Sequence, residues 1–246
     1  MPIIILTIAA QLFCAYHVVS TGREKYWIGL IIMAPGLGCL IYLVTQIIPD
    51  ANNSSASRSA KQGVIKAIDP NRALREALQA FDMVESVDNR LRLADALYDL
   101  GQFQEAEPHL KVCLAGAHQY DPHILMRLAS VQLELGAPAE SLKLLDTLQE
   151  HNKNYQSEAG HLLYSRALED AGDIEAALGS YAGLVDYATG EEARVRYGLL
   201  LKQSGQVSEA RQVLEEVIKR VNRSTKFYKK AQRAWRDRAQ AALAEG

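Results

Sequence analysis

Gly101-Gln-Phe-Gln-Glu-Ala106 is a glycine followed five residues later by a small residue, and the chain repeats this phrase three more times. The further copies are Gly136-Ala-Pro-Ala-Glu-Ser141, Gly172-Asp-Ile-Glu-Ala-Ala177 and Gly205-Gln-Val-Ser-Glu-Ala210, and the glycines stand 35, 36 and 33 residues apart. Helical apolar spacing flanks each copy. A period of about 34 residues is that of a stacked helix-turn-helix solenoid. One such unit cannot bury its apolar face alone, so neighbours must stack, and the stack presents an extended surface suited to docking.

Counting each glycine as position 15 brings the copies into register. Position 8 holds Ala94, Ala129, Ser165 and Gly198; position 20 holds Ala106, Ser141, Ala177 and Ala210; position 24 holds Leu110, Leu145, Tyr181 and Leu214. Small residues at positions 8 and 20 let two helices approach closely, and the large residue at 24 locks them. These residues resemble the tetratricopeptide repeat pattern over residues 87–221, with repeats at about 87–121, 122–157, 158–190 and 191–221. Tryptophan is absent from position 4 and the terminal proline is missing from every copy. The resemblance implies an all-α, right-handed solenoid of about four repeats plus a capping helix. Beyond residue 60 no stretch alternates with period two, so no strands are expected.

Local signals mark helix starts. Asp121-Pro122 reads as cap and first residue. Thr189-Gly-Glu-Glu192 reads as a capping box. Asp69-Pro70 opens a helix whose apolar stripe is Leu74, Leu78, Phe81 and Val84 or Glu85. The last segment, 225–244, reads as the cap, with Phe227, Ala231, Ala234, Trp235 and Ala242 on one face. Its other face carries Lys226, Lys229, Lys230, Arg233 and Arg236, a basic surface that could meet anionic lipid or nucleic acid.

In the tetratricopeptide family the concave wall comes from the first helix of each repeat. The resemblance therefore implies a partner-binding groove. Repeat one supplies Asp88, Leu91, Asp95, Tyr98 and Asp99, and repeat two supplies His123, Met126, Ser130, Leu133 and Glu134. Repeat three supplies Ala159, Leu162, Arg166, Glu169 and Asp170, and repeat four supplies Glu192, Arg196, Leu199, Lys202 and Gln203. This groove grades from acidic through apolar to basic, which would orient a protein or peptide ligand. The clamp for C-terminal carboxylates needs Lys and Asn at positions 5 and 9. Leu91/Asp95 and Met126/Ser130 do not supply it.

The N-terminus has a different character. Residues 3–19 carry no formal charge, and 26–48 read YWIGLIIMAPGLGCLIYLVTQII, again without charge. At 1.5 Å per residue these runs span roughly 25 and 35 Å, so residues 1–49 are expected to form two transmembrane helices joined by a short turn. A cleaved signal peptide is the competing reading of the first run, but a basic n-region and a clear cleavage site are missing. Tyr26-Trp27 and Met33-Ala-Pro-Gly-Leu-Gly-Cys-Leu-Ile-Tyr42 resemble the N-terminal hairpin ahead of cardiolipin synthases of the phospholipase D family. That family's catalysis implies His-x-Lys-x4-Asp motifs. Here the one His-x-Lys is His109-Leu-Lys111, and Gly116 stands where the aspartate belongs, so the resemblance extends to the anchor alone. Residues 50–68, including Ala-Asn-Asn-Ser-Ser-Ala-Ser-Arg-Ser-Ala60, read as a flexible tether. Arg58, Lys61 and Lys66 just beyond the second run lean the repeats towards the cytoplasmic side of an inner membrane.

The net charge of -2 conceals an asymmetry. Residues 1–68 carry five basic and two acidic side chains, 69–219 carry 14 and 25, and 220–246 carry eight and two. An acidic array argues against repeats that grip a phosphate backbone, so no nucleic-acid partner is expected for them. Catalytic and cofactor signals are missing: there is no Gly-x4-Gly-Lys-Ser/Thr loop, dinucleotide fingerprint or nucleophile elbow. Cys113, His118, His123 and Asp121 match no standard zinc spacing. Glu191/Glu192 and Glu215/Glu216 read as solvated acidic pairs. No enzyme, cofactor or metal is expected. The resulting expectation is a membrane-anchored scaffold binding a protein partner, with regulation of a membrane lipid enzyme through the hairpin as the alternative.

Overall fold

The computed structural model describes residues 2–22, 24, 26–34, 36–47 and 69–245. The expected tether, 50–68, lies outside the described residues. The chain divides into two compact units, 1–72 and 73–246. Among the described residues there are no strands.

The N-terminal unit contains α1 (Pro2–Ser20), α2 (Tyr26–Met33), α3 (Leu37–Tyr42) and a π-helical turn at Leu43–Ile47. The second expected span is therefore not one helix. The break between α2 and α3 falls between Met33 and Leu37, where Gly36 takes φ 86°. No helix among the described residues is long and apolar enough to cross a membrane. The pieces pack together instead, burying Cys14, Val18, Ile31, Cys39 and Tyr42. Gly38 is required at that seam, since a Cβ there would lie 2.5 Å from the Leu30 carbonyl oxygen.

The second unit begins with α4 (Arg72–Met83), then four helix pairs: α5 (Val87–Asp99) with α6 (Phe103–Cys113), α7 (Pro122–Glu134) with α8 (Pro138–His151), α9 (Glu158–Asp170) with α10 (Ile174–Val185), and α11 (Glu192–Gln203) with α12 (Val207–Arg223). Two shorter helices close it, α13 (Lys226–Ala231) and α14 (Arg233–Ala244). Each helix packs on the next through the pairs, and α14 packs on α12 and α11.

The four glycine phrases are four copies of one turn. Gly101, Gly136, Gly172 and Gly205 have φ of 74, 74, 81 and 82°. In each, the glycine N–H bonds to the carbonyl three residues back and the next N–H bonds five back, as with Gly101 to Tyr98 and Gln102 to Leu97. This left-handed turn satisfies the last carbonyls of the first helix and aims the second helix back along it. All residues at positions 8, 20 and 24 are buried. Ser141, fully buried at position 20, donates its hydroxyl to the Ala129 carbonyl at 2.8 Å and so leaves no stranded polar group.

Several local expectations change. Asp121 does cap α7, accepting from the N–H groups of His123 and Ile124. Asp69-Pro70 does not start α4, which begins at Arg72. The stripe of α4 is Leu74, Ala77 and Phe81, while Leu78 and Val84 are exposed. Thr189 is no helix cap: its N–H and hydroxyl both donate to the Glu158 carboxylate, at 2.8 and 3.1 Å, tying the start of α9 to the loop after α10. The cap is two helices broken at Gln232, and its inward face is Tyr228, Trp235, Ala239, Ala242 and Leu243. Phe227, Ala231 and Ala234 face solvent.

Candidate partner-binding face

The first helices α5, α7, α9 and α11 carry the residues expected to line the groove, and their charges are largely engaged with one another. Arg127 of α7 grips Asp95 of α5 with two bonds, at 2.5 and 2.9 Å. Arg166 of α9 reaches Glu134 of α7 at 3.1 Å. Arg196 of α11 reaches Glu169 of α9 at 3.3 Å and Glu192 at 2.9 Å. Lys202 donates to the Ala242 carbonyl of α14 at 2.6 Å. Each rung joins one repeat to the next element along the stack. The acidic-to-basic gradient of the sequence is thus mostly neutralised inside the array.

The remaining groove residues have mixed settings. Asp88 is exposed in the first turn of α5. Asp99 is exposed and lines a shallow cleft beside α4 with Glu76, Arg92 and Asp95. Leu91 and Tyr98 pack on the first core, and Leu162 packs on the core around Tyr181. Burial, then the Glu134 carboxylate, raises the Tyr98 pKa above its ordinary value. Ser130 bonds back to the Met126 carbonyl at 3.0 Å. Counted strictly from Gly205, Arg196 stands at position 6; position 5 is Val195, which is wholly buried.

A cleft of about 700 Å³ lies between repeats two and three. Met126, Leu145 and Leu148 give it an apolar floor, and Tyr155, His161, Tyr164 and Tyr187 bring rings to its walls. His123 meets Tyr155 edge-on with centroids 5.9 Å apart. Gly160 keeps α9 close to Met126, whose sulfur would lie 3.2 Å from an added Cβ. His161 is held at both nitrogens, by the Tyr187 hydroxyl at 2.5 Å and the Ser180 hydroxyl at 3.1 Å. Ser180 in turn meets the buried Ser165 hydroxyl at 2.8 Å. Of the residues lining this cleft, the sequence pattern places Met126 alone in the groove and makes Leu145 the packing residue at position 24. Its other residues belong to helix faces, to the 152–157 loop and, for Tyr187, to the turn after α10, so their convergence has no signature in spacing.

The end of the array holds a buried carboxylate that the sequence reading placed in solvent. Glu191 is fully buried. Its Oε1 accepts from Tyr228 at 2.8 Å and Arg220 at 3.2 Å, its Oε2 faces Arg194 at 3.6 Å, and its N–H donates to the Gln232 side chain at 3.1 Å. Burial, then the contact with Glu191, raises the Tyr228 pKa. Among the described residues no three His, Cys, Asp or Glu side chains gather as a metal site. Cys113 is buried with its thiol 3.9 Å from the Val87 carbonyl.

Profiles of the tetratricopeptide repeat family match residues 100–167, 162–225 and 195–246. These are tetratricopeptide repeats. Solved structures agree on the fold. MamA, residues 41 to the end, from Desulfovibrio magneticus RS-1 superposes with a TM-score of 0.55 at 15% identity, covering 71% of this chain and 94% of that one. The thermophilic TPR protein TTC0263 of Thermus thermophilus gives 0.54 at 18%, covering 70% and 89%. YrrB, described as a TPR protein with an unusual peptide-binding site, gives 0.50 at 17%, covering 71% and 90%. No curated protein matches the chain by sequence. Tetratricopeptide arrays are generally adaptors and scaffolds rather than enzymes. The resemblance of residues 26–42 to the cardiolipin synthase hairpin gains no support, because the second segment is broken and the family matches begin at residue 100.

Proposed function

We propose that the protein is a scaffold that docks a protein or peptide through its tetratricopeptide array, with the aromatic cleft between repeats two and three as the principal seat. The observation that carries this reading is the contrast along the inner face. Arg127, Arg166 and Arg196 are already paired with Asp95, Glu134 and Glu169 of the preceding repeats, whereas Met126, Tyr155, Tyr164 and Tyr187 converge on an open cleft. Rigid aromatic walls with an apolar floor suit a bulky apolar anchor residue of a ligand. A structural relative described by its peptide-binding site lends the reading support from fold alone. A photo-crosslinking residue at Tyr155 is expected to capture a partner in cells, and Tyr164→Ala is expected to diminish capture. Equal capture from Asp88 would overturn the choice of cleft.

The N-terminal unit, in this reading, holds the array at a membrane, with the repeats on the cytoplasmic side. Two of its polar side chains turn inward: Gln11 donates to the Ile31 carbonyl at 2.9 Å and His17 meets the Tyr42 hydroxyl at 3.0 Å. Its apolar side chains turn outward, among them Leu12, Phe13, Val19, Ile32, Met33, Leu37 and Leu40. So much exposed apolar surface suits a lipid solvent, where broken helices persist if neighbours satisfy the freed backbone. The protein should remain with membranes after alkaline extraction; release into the soluble fraction would sink this part of the reading.

A further inference from the structure

The C-terminal cap ends in an exposed basic surface with an aromatic ring at its centre. Arg223 closes α12, Lys226 and Lys230 stand one turn apart on α13, and Arg233 opens α14; all four are exposed. Phe227, on the same side of α13 as Lys230, is 84% exposed, the most exposed large apolar side chain between residues 69 and 245. Arg220 serves Glu191 and Arg236 lies 2.6 Å from Asp237, while Arg233 of the exposed set lies 3.5 Å from the same carboxylate. Among the described residues no ion pair holds Arg223, Lys226 or Lys230, and the nearest acidic neighbour in the adjoining cleft is Glu216. On α13, Tyr228 turns inward to Glu191 and Phe227 is left outside.

From this surface we infer that α13 and the residues flanking it form a second membrane contact, selective for anionic lipid headgroups. The lysines and arginines meet lipid phosphates and carboxylates while the Phe227 ring enters the interfacial layer, the combination by which a short amphipathic segment binds a charged bilayer. Charge distribution favours a lipid surface over a nucleic acid. Residues 220–246 carry eight basic against two acidic side chains, whereas 69–219 carry 14 against 25. A polyanion long enough to lie along the array meets repulsion from it, while a flat anionic surface touches only the end. The inference rests on the membrane setting proposed above, which brings a bilayer to the chain. It adds a headgroup preference that an apolar hairpin does not supply.

The test uses the full chain with a polarity-sensitive fluorophore on Ala231→Cys, an exposed site beside Phe227; the native thiols Cys14, Cys39 and Cys113 are buried. Reconstituted into phosphatidylcholine vesicles the probe should report water, and added phosphatidylserine should shift it to the blue. High salt should reverse that shift. Lys226→Glu with Lys230→Glu should raise the phosphatidylserine requirement by at least about tenfold, and Phe227→Ala should reduce the blue shift with the helical circular dichroism unchanged. An equal shift on phosphatidylcholine alone, or none on phosphatidylserine, overturns the inference. A shift with an RNA oligonucleotide but not with phosphatidylserine overturns it too and assigns the face to nucleic acid. Failure of the hairpin reading is distinguishable: alkali then releases the chain, yet the probe still responds to added anionic vesicles.

Discussion

Two kinds of glycine hold this array together, and they fail differently when given a side chain. Gly136 sits in the left-handed turn with nothing within 4 Å of an added Cβ, so its requirement is purely conformational. Gly136→Ala should cost about 1 kcal/mol in denaturant unfolding. Gly198 is helical, and its added Cβ would lie 2.8 Å from Cγ and Cδ2 of the buried Leu214. Gly198→Ala should cost roughly 1–3 kcal/mol by overpacking. Trimming the neighbour separates the two: Leu214→Val should offset part of the Gly198→Ala loss, whereas trimming neighbours of Gly136 should recover nothing. Both requirements are legible in the sequence, because position 15 is glycine in every copy and position 8 is always small. The inter-repeat rungs are not legible. Whether Asp95 faces a ligand or Arg127 depends on how far one repeat is rotated against the next, and residue identity carries no such angle. The Arg127–Asp95 pair is itself half exposed, with 42% and 46% of the side chains in solvent. A double-mutant cycle should therefore assign it no more than about 1 kcal/mol.

At the scale of elements, α4 is docked by a small polar-aromatic cluster as well as by its apolar stripe. Asn89 of α5 donates to the Ala80 and Val84 carbonyls at the end of α4, both at 3.0 Å. The Arg90 guanidinium lies 4.6 Å from the Phe81 ring centroid, and His109 meets the same ring edge-on at 5.8 Å. Burial first, and then Arg90, hold the His109 pKa below its ordinary 6.5. The unfolded chain takes up that proton near its ordinary pKa, and the folded chain does so only at lower pH. Stability contributed by neutral His109 is therefore complete above that value and declines as pH falls through it. The urea midpoint should drop between about pH 7 and about pH 5.5, and His109→Gln should flatten that segment of the profile. Glu85 lies 3.3 Å from Arg90, and the Cys113 thiol, pushed up by burial, titrates above this window. The existence of the paired helices follows from apolar period alone. The inward face of the cap does not, because two apolar stripes compete there, Phe227/Ala231/Ala234 and Tyr228/Trp235/Ala239/Ala242, and packing on α11 and α12 selects the second.

Across the second unit, Glu191 joins the last repeat to the cap. Removing it strands Tyr228 and Arg220 and frees Gln232, while Arg220, 43% exposed, can return to water. Glu191→Ala should therefore cost about 2 kcal/mol rather than the larger figure of a fully enclosed pair. Because each repeat contacts only its neighbours, the loss should be local: hydrogen exchange should rise in α13 and α14 while α5 to α8 keep their protection. A uniform loss of protection would show that the array unfolds as one block. The apolar period, the four glycines and the small residues at positions 8 and 20 determined the helix pairs, their turns and their stacking. These depend on backbone conformation and residue volume, which each residue carries with it. Only the tertiary structure decided that the graded charges pair between repeats, that Glu191 is buried, that the second apolar segment is broken and that the open cleft is aromatic. Those outcomes depend on how separate helices are rotated against one another, and that rotation is a property of the assembled stack rather than of any one residue.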